Sequence, residues 1–108
     1  MAIKRIWHGW TTPENADSYH SVVRTIVEPG IAAKGIAGYG GLELLRKVQP
    51  QGEDGQEEVE FVTIMTFDSL DTIIKFQGEN YTKAHVPDAA QKLLKRWDSH
   101  AEHYEAQD

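Results

Sequence analysis

A ferredoxin-like α+β fold, βαββαβ with an antiparallel four-stranded sheet, is what this chain predicts. Three observations carry it. Strand-like and helix-like patterns follow one another in that order along 108 residues. Two of the strand-like runs are apolar on both faces, and a sheet of that kind needs a cover on each side. The chain has helices enough for one cover only, so the other points to a second copy of the same chain. At this length residues 1–108 make a single domain with one core.

Ile3 to Thr11 reads as the first strand, rich in Ile, Trp and Thr. Thr12-Pro13-Glu14 opens a helix, with Thr12 able to cap, Pro13 suited to the first position and Glu14 at the positive end of the dipole. Ala16, Tyr19, Val23, Ile26 and Val27 follow at helical spacing, and Pro29-Gly30 is expected to stop or kink the helix. Gly38, Gly40 and Gly41 are suited to a turn, a bulge or a close backbone approach. Leu42 to Val48 is the second strand, and 49–57 is a polar turn with Pro50, Gly52 and Gly55. Val59 to Phe67 is the third strand. Val59, Phe61, Met65 and Phe67 point one way, and Val62 and Ile64 the other. Asp68 or Ser69 caps a second helix carrying Leu70, Ile73 and Ile74, closed by Gly78. A further helix begins near Pro87, with Ala90, Leu93, Leu94 and Trp97 on one face. Ser99 to Ala106 is the last strand.

Hydrophobic content of 40% and charged content of 26% are those of an ordinary globular chain. The net charge of −6 argues against a nucleic-acid partner, since phosphate contacts need clustered Lys and Arg. The adjacent basic pairs Lys4-Arg5, Arg46-Lys47 and Lys95-Arg96 are too short for a polybasic patch and read as solvated edges. Glu57-Glu58 likewise reads as a solvated loop pair. Without cysteine there is no disulfide, thiolate zinc site or cysteine nucleophile. No run reaches membrane-spanning length, and Met1 to Arg5 lacks the apolar core of a signal peptide, so a cytoplasmic protein without membrane contact is expected.

His100 and His103 form an H-x-x-H pair, but on a strand they point to opposite faces and cannot chelate one metal. No metal site is expected. His85 sits in Tyr81-Thr82-Lys83-Ala84-His85, between the two parts of the second crossover. There it can face a pocket as an acid, a base or an iron ligand, or it can cap a helix or bond to backbone. The aromatic residues are either core and interface or the lining of a pocket for a flat ligand. The glycine segment is not a nucleotide loop, because it precedes a strand and no G-K-[ST] follows.

Several loose motifs run through nearly the whole chain. They are the opening Ile3-Lys4-Arg5-Ile6-Trp7-His8-Gly9, the segment from Pro29-Gly30 to Gly38-Tyr39, Thr66-Phe67-Asp68-Ser69 leading to a helix with Phe76, Ala84-His85, and His103-Tyr104-Glu105. Through them the chain resembles the antibiotic biosynthesis monooxygenase (ABM) family of dimeric α+β barrels. The resemblance implies a homodimer with one pocket per subunit, between sheet and helices. It implies oxidation of a small aromatic or quinol-type substrate with dioxygen and no cofactor. Within it His85 or His8 serves as base, Tyr81 as hydrogen-bond donor, and Trp7, Tyr39, Phe67 and Trp97 as ligand-binding aromatics. Other members degrade haem, using an Asn on the first strand, a Trp ending the third and a His in the second crossover. Those positions hold His8, Phe67 and His85, of which only the histidine matches. Haem binding or degradation is therefore the first alternative, and a non-catalytic dimer binding a small apolar ligand the second.

Overall fold

The structure is a computed structural model and describes residues 2–48 and 58–107; the expected polar turn over 49–57 lies outside the described residues. The elements are β1 (Ile3–Thr11), α1 (Pro13–Val22), a π-helical turn (Val23–Val27), α2 (Glu28–Ala32), β2 (Tyr39–Arg46), β3 (Val59–Phe67), α3 (Leu70–Gln77), α4 (Asp88–Gln91), β4 (Leu94–Trp97) and β5 (Glu102–Glu105). The sheet order is β2-β3-β1-β4, with β5 also on β1, and every described pairing is antiparallel. This is the α+β, ferredoxin-like arrangement the sequence predicts. β4 pairs with the Gly9–Thr11 end of β1 and β5 with its Ile3–Ile6 end. Two short strands thus share one edge, where a single strand over 99–106 was expected.

Three expectations need correction. The helix from Pro87 ends at Gln91, and Leu94–Trp97 is strand. Leu93, Leu94 and Trp97 fit a helical period, but the free edge of β1 offers this backbone a ladder of partners, and tertiary pairing overrides the local pattern. Of the two outcomes expected at Pro29-Gly30, a stop or a kink, the stop does not occur: helical structure runs on to Ala32. Proline falls in the first turn of α2, directly after the π turn, in which the Glu28 amide bonds back five residues to the Val23 carbonyl. The wider turn accommodates a residue that lacks an N–H and crowds the preceding turn. Finally, β2 starts at Tyr39, with a register shift between Tyr39 and Gly41.

Alternation decides which sheet face is covered. Leu42, Phe61, Met65 and Phe67 pack against Ala16, Tyr19, Val23 and Ile73. Phe61 and Phe67 are fully buried, each stabilising the fold by roughly 1.5–3 kcal/mol relative to exposure. The opposite face presents Ile6 beside Ile64, His8 beside Val62, and Leu45 on the far side of Val62. Trp10 extends this row, held under the Arg96 guanidinium 3.8 Å from its ring centroid. Ile6, Val62 and Ile64 are only half-buried and Leu45 is exposed.

Two glycines set close approaches. At Gly38 φ is +95°, and a Cβ there would run into the carboxylate of Asp68. The contact lets the Asp68 amide reach the Gly38 carbonyl at 2.9 Å and anchors the start of α3. The Asp68 carboxylate also accepts from the Thr72 hydroxyl, and Ser69 Oγ caps the helix by accepting from the Thr72 amide at 3.2 Å. At Gly9, a Cβ would stand 3.0 Å from Leu94 Cδ2 and 3.2 Å from the Trp7 ring, so the bare backbone lets indole and β4 meet.

The charged pairs read as solvated edges are more engaged than expected. Glu58 accepts from Arg96 Nε at 3.1 Å and Nη2 at 3.0 Å, with Lys95 Nζ at 3.4 Å. Arg46 reaches Asp17 at 2.7 Å, and Arg5 is buried.

Candidate functional site

An apolar cavity of about 300 Å³ lies between the helical layer and the covered face of the sheet. That is the lower end of the size range for small-molecule pockets. Its position follows from packing. The π turn carries Val23, Ile26 and Val27 over the sheet as a roof, while Arg5, Trp7, Thr63 and Met65 form the floor. Phe76 of α3 and the segment Ala84 to Pro87 close the sides. His85 belongs to that segment and is solvent-exposed, which places its imidazole at the rim.

Polar groups are few. Trp7 donates from Nε1 to the Asp98 carbonyl at 2.7 Å, which fixes the indole against the floor. Tyr19 is hydrogen-bonded to Thr63, and burial pushes its phenol up to about 12, so it stays neutral. Arg5 is the unusual member. It is 5% exposed, yet its Nη1 donates to the Tyr81 carbonyl and to His103 Nε2 at 2.9 Å, and its Nη2 to the Lys83 carbonyl at 3.4 Å. None of these partners is an anion, and no carboxylate pairs with it among the described residues. Burial pulls its pKa down to about 10, which leaves it charged at neutral pH. Since guanidinium only donates, His103 must accept through Nε2, and its ring is neutral with the proton on Nδ1. Burial, with Arg5 alongside, pushes the His103 pKa down, which agrees.

Of the residues singled out from the sequence, His85 and Trp7 meet at this cavity. His8 does not join them. It lies on the uncovered face of the sheet, where its Nδ1 is 2.7 Å from Glu60 Oε2 and its ring stacks on Trp10. Tyr81 stands beside the site: its carbonyl holds Arg5 and its ring meets His103 edge-on at 5.2 Å. Tyr39 and Phe67 form an aromatic row, 5.5 Å from each other, and Phe67 lies 5.6 Å from Phe76, the one of the three that reaches the cavity. Trp97 is opposite Gly9 on β4, partly exposed and outside the lining. His100 bonds Ser99 at the surface while His103 faces Arg5. Among the described residues no three His, Asp or Glu side chains gather as a metal site, and no helix is long and apolar enough to cross a membrane.

Arg5, Tyr19 and Lys34 line the cavity but are not among the site residues read from the sequence. Arg5 is in phase with Ile3 and Trp7 on β1, and a charge at an inward-facing strand position was the available signal. Lys34 sits 4.6 Å from the Phe76 ring centroid, beyond the end of α2, where no pattern in the sequence marks it.

Comparison with solved structures gives the same fold. A protein of Mycobacterium tuberculosis, Rv0793, matches with TM-score 0.60 at 15% identity over 100% of this chain and 97% of its own. A Bacillus cereus protein provisionally named an antibiotic biosynthesis monooxygenase gives 0.60 at 12% identity, over 99% and 96%. A Bacillus halodurans protein of the ethyl tert-butyl ether degradation (EthD) family gives 0.53 at 15%, over 99% and 100%. No family model and no curated protein matches the chain. The ABM-type fold implied by the resemblance is the observed one.

Proposed function

We propose that this protein binds a small aromatic or quinol-type molecule in the cavity and acts on it as a cofactor-independent monooxygenase. The observation that carries the reading is the apolar cavity between helices and sheet, with a histidine at its rim. A neutral imidazole at His85 takes the proton from a phenolic hydroxyl, leaving an electron-rich anion. That anion reduces dioxygen. One oxygen atom enters the ring in place of a C–H hydrogen and the other leaves as water, so phenol and O₂ become quinone and H₂O with no other electron donor. The apolar roof of Val23, Ile26 and Val27 limits contact of the anion with water. Oxygen uptake on adding a panel of phenols and hydroquinones tests this; no uptake with any of them, despite measurable binding, would leave a ligand-binding protein.

The working unit in this proposal is a homodimer joined sheet to sheet. Support comes from the row Ile6, Trp10, Leu45, Val62 and Ile64, which this chain's described helices leave uncovered. A second copy would bury it in an interface on the order of 2,000 Å². Haem fits less well. The cavity is small for so wide a macrocycle, and His8, on the strand position that haem-degrading relatives use, faces the other side of the sheet. Haemin added to the protein, followed by absorption, separates that alternative.

A further inference from the structure

We propose that the cavity selects anions, and that Arg5 holds the anionic oxygen of an aromatic carboxylate or phenolate with the rings against Trp7 and Phe76. This deepens the reading of the cavity as a ligand pocket and rests on it.

The protein as a whole is acidic, with a net charge of −6. The cavity reverses that sign. Arg5 and Lys34 both line it, His85 stands at the rim, and no Asp or Glu is among the described lining residues. Taking a guanidinium out of water costs several kcal/mol unless an anion and further hydrogen bonds compensate. Here two backbone carbonyls and a neutral imidazole satisfy part of the fork, and no protein carboxylate supplies the opposite charge. Arg5 has five N–H groups, and these bonds use three. The donors that remain belong to a rigid, planar group on the cavity floor, the geometry that suits a carboxylate or a phenolate oxygen. The carbonyls of Tyr81 and Lys83 tie the guanidinium to the segment that carries His85, so charge anchor and rim histidine keep a fixed relation. Arg5 itself is buried, which strengthens its attraction to a bound anion relative to a solvent-exposed guanidinium.

The test compares 2-naphthoate with its neutral isostere 2-naphthamide by calorimetry on the intact protein. Naphthoate should bind about tenfold more tightly or better, the scale of one charge-assisted hydrogen bond. In Arg5→Gln the preference should largely vanish, whereas Lys34→Gln, at an exposed position, should keep most of it. Equal affinity for the two compounds, or preference for the amide, would overturn the anion site while leaving the pocket reading intact. Binding of neither would overturn both. Should Arg5→Gln fail to fold, 4-nitrophenol bound to the native protein decides: its titration should move to lower pH on binding. An unchanged or raised titration would count against the proposal.

Discussion

Arg5 and His103 face each other across neighbouring strands, guanidinium Nη1 to imidazole Nε2 at 2.9 Å, a charged donor on a neutral acceptor. Protonating His103 would turn this bond into a repulsion between two cations. Its pKa is lowered in the folded protein by burial and by Arg5. The unfolded chain therefore takes up the proton first, near the ordinary value of about 6.5. His103 contributes its full stability above that pH, and the contribution is lost as pH falls through the lower folded value. Urea midpoints measured between pH 7.5 and 5 should decline, and His103→Asn should flatten the decline. An identical pH profile in that variant would show that the ring does not sense the proton.

His85→Ala should leave the fold unchanged, because the residue is exposed and surface changes typically move stability by no more than about 0.5 kcal/mol. Turnover of an accepted phenol should fall by about 100-fold or more, the lower end of general-base assistance. Full activity in the variant would remove His85 from the mechanism.

Ile64→Lys separates the two sheet faces. Ile64 lies opposite Ile6 on the uncovered side, so if the proposed dimer forms, light scattering at micromolar concentration should show a dimer for the parent and a folded monomer for the lysine variant. Met65→Lys places the charge among Leu42 and the helix residues of the core and should abolish folding. A monomeric parent protein would sink the sheet-to-sheet proposal.

Gly38→Ala should destabilise by about 1–3 kcal/mol, through backbone strain and collision with Asp68. Gly30→Ala is the control: nothing stands within 4 Å of its Cβ position, it is helical, and Ala should be neutral or stabilising by up to about 1 kcal/mol. The thermal melt should fall for Gly38→Ala and hold or rise for Gly30→Ala.

β1 and β3 were legible from end to end, because both combine β-branched and aromatic residues with a period of two. β4 was not, since Leu93, Leu94 and Trp97 satisfy a helical period as well, and only the vacant edge of β1 decides between them. The π turn has no local signature; Pro29 announces an interruption without saying of what kind. At the site, His85 stood out by its place in the broken crossover. Arg5 was hidden by Lys4, which makes the two look like a surface pair although strand alternation sends them to opposite faces.

The π turn has a consequence for how this protein can change length. A π turn stores one residue more than the α-helix it replaces. The residues on either side, Tyr19 before it and Ile31 after it, both face the cavity. Removing one residue between 23 and 27 can regularise the helix and leave those two in phase. Straightening the helix with every residue kept would instead swing Ile31 and its successors by about 100° around the axis. The roof of the cavity is thus the place where this chain can lose a residue without disturbing the wall on either side.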